Sequence, residues 1–439
     1  MLRGDNVLFY FNPDPLVGKG HSAALLLHAS TGNVTDVTIP FAINIFCSGV
    51  SIMPNGQVLV TGGEARHPPP LDPVDGTYNT TIFNPFTSTW SAGANMNYAR
   101  WYPSTVELED GTMLEFSGAD QNFALVRALE SYNYKTNTWT VLPASANMPS
   151  STLDPGAYPR LVLLTNGKVF LAAPGRDSYQ FDPRTNTWSF VATTKFGSRP
   201  AAPHVLLPGL QKVLVAGGSS GGPATNTAEV IDFSVPHPAW NYTGSMTYAR
   251  NNANLVLLAD GTVLAVGGGG GLGTWIHPVL ATELYNPVTG TWRVMASQGT
   301  QRMYHSTAVL LPDGRAVSAG SNDSSSTEYT YEIFSPPYLF AGSRPAITSA
   351  PGSLTYGATF SIVTPDAASI ARVALMRPGA TTHANDFDQR YVDLRFTVGS
   401  GHLSATAPAS GNYAPPGSYM LVIVNSRGIP SIMPFVVLG

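Results

Sequence analysis

Gly299–Gly314, GTQRMYHSTAVLLPDG, joins a tyrosine–histidine pair to a short apolar strand and ends on an Asp-Gly turn. A turn of this kind, Asp-Gly or Asn-Gly, followed by one residue and another apolar strand, recurs along the chain, and the first strand residue after it falls at Val58, Met113, Val169, Val263 and Ala316. A degenerate copy, LPGLQKVLVAGG, places Val213 in the same role. Counting back eleven residues from each marker lands on Cys47, Tyr102, Tyr158, Ala202, Asn252 and His305. If the repeats are equivalent supersecondary units, rotation brings these six positions together at one point. Among them Cys47, Tyr102 and His305 belong to the small set of side chains that ligate or modify transition metals, and Tyr304 adjoins the last.

The spacings between markers, 55, 56, 44, 50 and 53 residues, have the period of kelch-like blades of about four strands each. A second signature supports this: FNPFTSTW, YNYKTNTW, FDPRTNTW and YNPVTGTW end at Trp90, Trp139, Trp188 and Trp292. Its Pro/Asn-Thr core is a hairpin turn between outer strands, and the tryptophan a wedge between blades. LRGDNVLFYF opens the chain with the same turn, with Val7 as marker 51 residues before Val58, which makes seven blades. Val7 has no residue eleven places earlier, so the innermost strand of this first blade is expected to be missing from the chain, as though it were shortened at its N-terminus. Beyond Phe334–Ile347, FSPPYLFAGSRPAI, six short segments with alternating or buried character succeed one another over about 100 residues, the pattern of a small immunoglobulin-like sandwich. The expected architecture is therefore all-β: a seven-bladed kelch-like propeller over residues 1–338, then an immunoglobulin-like (early-set) β-sandwich over residues 339–439. One polar connection in the sandwich, Ala380–Val392, carries His383.

Composition narrows the function. Of 439 residues 43% are hydrophobic, enough for a large core, while 11% are charged and the net charge is −4, which leaves no basic stripe for nucleic acid. The 43 glycines and 36 prolines follow no triplet period and fit many short strands joined by turns. A single cysteine, Cys47, excludes a disulfide framework. No apolar run approaches the ~20 residues of a membrane span, and no leader opens the chain. Sequons at Asn33, Asn79, Asn241 and Asn322 fit a secreted protein. In a propeller the innermost strands run side by side with their starting ends on one face, so Cys47 and Tyr102 come from neighbouring blades and Tyr304 and His305 from the last. With His383 reaching in, two imidazoles and two phenols suit a tetragonal copper(II) site with one position open.

Five stretches, IFCSG (Ile45–Gly49), ARWYPS (Ala99–Ser104), MYHSTAVLLPDGR (Met303–Arg315), TTHANDFDQR (Thr381–Arg390) and PGSYMLVIVNSRGIPS (Pro416–Ser431), together resemble the galactose oxidase and glyoxal oxidase family of copper radical oxidases, closer to the glyoxal oxidase branch. The resemblance spans nearly the whole chain. It implies copper as cofactor, a self-generated thioether between Cys47 and Tyr102 that holds a radical, Tyr304 as axial ligand and base, and His305 and His383 as equatorial ligands. It further implies oxidation of a small aldehyde hydrate or primary alcohol by dioxygen, with release of peroxide, by a secreted or cell-surface monomer, with carbohydrate or cell-wall association as a further partner. One departure stands out. Galactose oxidase stacks a tryptophan eighteen residues after the modified tyrosine, where this chain has Asp120, expected here as a polar neighbour of the site's mouth; Trp101 or Trp275 is then the candidate aromatic cover. The alternatives are a catalytically silent propeller that binds glycan and, last, a plain kelch scaffold, because singly Cys47 could be a buried thiol, His305 a core histidine and the tyrosines strand aromatics. Tyr158 and Asn252 are left as pocket lining.

Overall fold

The computed structural model describes residues 1–11, 22–66, 74–149, 158–271, 277–322 and 327–439. Among these residues regular structure is almost all strand, interrupted only by single 3-10 turns. Seven antiparallel sheets surround an axis. Five have four strands each, with inner strands Gly49–Ile52, Ser104–Glu107, Arg160–Leu163, His204–Leu206 and Asn254–Leu257. The last blade has three, beginning with the inner strand Thr307–Leu310; the first has Asn6–Phe11, Ala23–His28 and Val34–Asp36. Inner strands are buried end to end because the axis covers one face and the neighbouring blades the other, whereas outer strands such as Thr138–Val141 are largely exposed. Short hydrophobic runs near the axis and alternating polar ones at the rim follow from that difference.

The turn that sets the repeat behaves as expected. Val58, Met113, Val169, Val263 and Ala316 each start the second strand of a blade and pair with the residue six places earlier, across a turn whose glycine has φ of +82° to +87°. Only glycine enters that region without cost. The degenerate copy differs: Val213 pairs with Leu206, seven places back, so its turn holds one extra residue. The ring position in that blade is consequently Ala201, not Ala202. Ala201 has a positive φ of +57°, as do Cys47, Tyr102, Asn252 and His305, and its carbonyl accepts from the Asn252 amide at 2.9 Å.

Blades adhere through two devices. Four outer-strand tryptophans donate their indole N–H to the preceding blade: Trp90 to the Val37 carbonyl, Trp139 to Thr80 Oγ1, Trp188 to the Ala146 carbonyl and Trp240 to Ser178 Oγ; the buried indole N–H of Trp292 makes no such bond. Nearer the axis, buried ion pairs recur as Arg100–Glu130, Arg199–Glu229 and Arg250–Glu283, at 2.7–2.8 Å. Each arginine lies two residues before a ring position and also donates to backbone carbonyls, so its charge is compensated on several sides.

The second domain is a sandwich of a five-stranded and a three-stranded sheet. Its central strand, Gly417–Asn425, is buried on both faces: Tyr419, Leu421 and Ile423 fill the sandwich core, while Met420, Val422 and Val424 join the propeller's Leu255–Leu258 in a second core. That shared apolar core fixes the two domains against each other.

From the loop around Ala380–Val392 a two-stranded hairpin, Thr381–Thr382 with Asn385–Asp386, enters the propeller's axis. Asp388 accepts from Ser51 Oγ and the Ile52 amide, both at 2.6 Å, and Gln389 pairs with the backbone of Leu255 and Leu257. Arg390 donates to the Leu163 carbonyl, and Arg160 to that of His383. Inner strands of several blades thus hold one loop.

The ion pairs allow a direct comparison. Glu283→Ala strands the buried Arg250 guanidinium and is expected to lower stability by about 3–5 kcal/mol. Asp232→Ala, which breaks the half-exposed Lys212–Asp232 pair, should cost less than about 1 kcal/mol. Urea unfolding midpoints of the two variants beside the parent decide it.

Candidate metal centre

The site is assembled where chain enters the inner strands. Cys47, Tyr102, Asn252 and His305 have φ of +62°, +64°, +55° and +65°, a left-handed conformation that costs a side-chain-bearing residue free energy and gathers at functional sites. At each of these residues the chain bends from a radial loop into its strand, which aims the side chain at the axis. The Tyr102 amide bonds the Cys47 carbonyl at 3.0 Å, so neighbouring blades fix the two residues side by side. Two residues beyond Cys47, Gly49 has no room for a side chain: a Cβ there would lie 2.5 Å from Thr61 Oγ1.

His383, also left-handed with φ +51°, arrives at the tip of the sandwich hairpin. The ligating atoms of Cys47, His305 and His383 all lie within 4.8 Å of one another, with Cys47 Sγ 3.6 Å from His383 Nε2. The Tyr102 and Tyr304 hydroxyls share a short hydrogen bond. The Tyr304 ring lies 3.7 Å from that of His305 and 5.1 Å from that of His383. Cys47, Tyr102, Tyr304, His305 and His383, expected from sequence to meet, do meet.

The donor set fits a metal ion. Both ring nitrogens of His305 are buried without a hydrogen-bond partner, a costly arrangement unless something else takes a lone pair. Burial lowers the His305 pKa to about 3, and burial together with the neighbouring His305 and Arg160 charges holds His383 well below its usual value. Both imidazoles are therefore neutral, the form that ligates. Thr382 Oγ1 meets His383 Nδ1 at 2.6 Å, which orients the ring and leaves Nε2 facing the centre. Burial, then the neighbouring Cys47, pushes the phenols of Tyr102 and Tyr304 far up, as expected of oxyanions with no cation beside them.

Trp101 stacks on Tyr102, with centroids 4.0 Å apart and planes at 16°, and supplies the aromatic cover. Reciprocal backbone bonds between Trp101 and Ala119 hold it in place. The Asp120 carboxylate accepts from the amides of Asn122 and Ala124 and so closes its own turn. Trp275 lies outside the described residues.

Tyr158, passed over as pocket lining, also stacks on Tyr102, at 4.8 Å and 29°, and contacts His383 at 4.7 Å. Its hydroxyl donates to the Ser48 carbonyl, one residue past Cys47. The signal was its ring offset in the blade next to that of Tyr102. The arginine ladder was legible too, because Tyr-Ala-Arg precedes both Tyr102 and Asn252 in the sequence.

Comparison with known proteins agrees with this geometry. Residues 19–338 match the glyoxal oxidase N-terminus model, and residues 344–438 the galactose oxidase-like early set domain. The chain is 29% identical to a galactose oxidase of Gibberella zeae over 92% of its own length, and it spans 62% of that relative. It is 28% identical to an aldehyde oxidase GLOX of Vitis pseudoreticulata, covering 94% of this chain and 85% of the relative. A fungal alcohol oxidase of the AA5 family, solved in complex with copper, superposes with a TM-score of 0.86 at 25% identity, covering 100% of this chain and 95% of that one.

Thr382→Val keeps side-chain volume and removes the hydroxyl on His383 Nδ1. Affinity for copper(II) is expected to fall about 10–100-fold with the circular dichroism spectrum unchanged, as read by calorimetric titration.

Proposed function

We propose a function on the premise that this chain belongs to the glyoxal oxidase family, with that family's N-terminal domain and a galactose oxidase-like early set domain. It is a copper radical oxidase that converts a primary alcohol to its aldehyde, or a small hydrated aldehyde to its acid, with dioxygen taking two electrons and two protons to become hydrogen peroxide. The observation that carries this reading is the convergence of Cys47, Tyr102, Tyr304, His305 and His383, drawn from three blades and a second domain, on one point. Relatives named aldehyde oxidase and galactose oxidase support the substrate class.

Tyr102, Tyr304, His305 and His383 hold the metal. Copper, when bound there, supplies a one-electron acceptor and a Lewis acid beside the substrate oxygen. Cys47 Sγ bonds to the Tyr102 ring; the thiol hydrogen and one ring hydrogen are lost, and dioxygen accepts them as peroxide. The sulfur donates electron density, so the phenol gives up one further electron more readily and then takes a hydrogen atom from the carbinol carbon. Tyr304 Oη takes the hydroxyl proton of the substrate. Its hydroxyl, hydrogen-bonded to that of Tyr102 at the centre, is placed to do so. Trp101 and Tyr158 flank the Tyr102 ring and keep bulk water from it. The protein acts outside the cell or at its surface; among the described residues no helix is long and apolar enough to cross a membrane.

Intact mass tests the cross-link. Protein loaded with copper under air should lose two hydrogens, and Cys47→Gly should bind copper without any mass change of that kind. An unchanged mass in the parent would count against the thioether and leave a silent, glycan-binding propeller in front. A peroxide-coupled screen of glyoxal, methylglyoxal, glycolaldehyde, galactose and simple alcohols then identifies the substrate. With the best of these, Tyr304→Phe should lower turnover by about 10²–10⁴-fold while the mass loss persists; undiminished peroxide release would contradict the base assignment.

A further inference from the structure

Tyr158 reaches across a blade. It stands at the ring offset of the blade that follows the one carrying Tyr102, while Cys47 belongs to the blade before; the three begin with the inner strands Gly49–Ile52, Ser104–Glu107 and Arg160–Leu163. The Tyr158 ring stacks on the Tyr102 ring, with centroids 4.8 Å apart, and its hydroxyl donates to the Ser48 carbonyl at 3.0 Å. One side chain therefore passes over the Tyr102 ring and is tied to the residue that follows Cys47.

The strap is itself fixed. Tyr158 is 1% exposed. Arg160 donates to its carbonyl and to those of Ala202 and His383, and Asn385 of the sandwich hairpin donates to the carbonyl of Pro159. Its ring also meets those of His383, at 4.7 Å, and Phe387, at 6.0 Å. A phenylalanine would stack on Tyr102 and fill the same space. What the hydroxyl adds is a fixed length between the ring that lies on Tyr102 and the backbone that aims the Cys47 side chain. Trp101 closes the opposite face, so the Tyr102 ring has one height relative to the sulfur.

We propose that Tyr158 is the positioning residue for the thioether between Cys47 and Tyr102. The inference rests on the oxidase reading, which supplies the reaction. In that step the Cys47 S–H bond and one C–H bond of the Tyr102 ring break and a carbon–sulfur bond forms. Dioxygen takes the two electrons and two protons released and leaves as hydrogen peroxide, with copper bound at the centre. Such a step depends on placement: an error of about 1 Å between reacting groups costs about 10²-fold in rate. Cys47 is held at φ +62°, a conformation it would leave if its neighbours released it. The Tyr158 hydroxyl on Ser48 and the Tyr102 amide on the Cys47 carbonyl are the two bonds from other blades that keep it there.

The chain has one cysteine, so thiol chemistry reports on this position alone. Full-length protein produced without copper is treated with iodoacetamide, and the rate of Cys47 alkylation is followed by intact mass. Tyr158→Phe should raise that rate about tenfold, because local opening frees the buried thiol more often. Tyr10→Phe removes a hydroxyl bonded to the Ser48 side chain instead of its carbonyl, and should match the parent. With copper(II) and air, loss of two hydrogens should then be about 10²-fold slower in Tyr158→Phe than in the parent at equal copper loading, with the circular dichroism spectrum unchanged. Unaltered alkylation, or cross-linking as fast as in the parent, would overturn the proposal. So would a slowing in Tyr158→Leu that Tyr158→Phe does not show, since it would leave Tyr158 with a packing role alone. The two readings fail separately. A parent that loses no hydrogens takes the oxidase reading and this step with it, whereas the alkylation ratio, measured without metal, decides by itself whether the Tyr158 hydroxyl holds Cys47.

Discussion

Hydrogen bonding between one loop of the second domain and the inner strands of the propeller is the interaction on which the rest of the molecule depends. Inner strands of a propeller converge on an axis where backbone groups and polar side chains risk burial without partners. The segment from Arg377 to Arg390 meets that need. Arg377 is shared between Glu107 and Asp388, and Asp388 bonds the blade that carries Cys47. Glu107, Arg377 and Asp388 are all buried there, and burial pushes the Glu107 carboxyl up against the pull of Arg377. The same loop that satisfies the strands therefore carries His383 to the centre, and structural plug and proposed metal ligand are inseparable.

Around that plug the ring residues pay a conformational cost that only a rigid frame can impose. Cys47, Tyr102 and His305 adopt positive φ angles that they would leave if free. The frame consists of the buried arginine–glutamate pairs just before the ring and the bonds between successive ring residues, such as Tyr102 to Cys47 and Asn252 to Ala201. A centre held in this way is formed before any ligand arrives, which keeps both imidazoles neutral and in place. The aromatic enclosure follows the same logic. Trp101 is fixed by its backbone bridge to Ala119 and Tyr158 by its bond to the Ser48 carbonyl, so the Tyr102 ring sits between two faces that cannot swing away.

Much of this was legible residue by residue. A period of turns and apolar strands located Cys47, Tyr102 and His305 on one ring, because glycine with positive φ at a tight turn leaves a fixed distance back to the strand's start. The ruler slipped by one at Ala202, because the turn after Leu206 has an extra residue and distance along the chain is all that counting can measure. Asp120 shows a related limit. An offset carried from a relative says which residue occupies a place, not that its carboxylate will satisfy two amides of its own turn. Tyr158 was on the ring but unassigned, since stacking depends on ring orientation.

What the sequence determined by itself is the periodic part: seven blades, their order, the tryptophan wedges and the residues that begin each inner strand. Those follow from local rules of turn geometry and alternation that each blade obeys separately. Tertiary structure alone decided the distance and angle at which His383 meets the axis, that Tyr158 as well as Trp101 stacks on Tyr102, and that Thr382 orients the His383 ring. The first two depend on surfaces far apart in the chain meeting at a set distance and angle. Periodicity within one blade carries no record of what a neighbouring domain will bring to it.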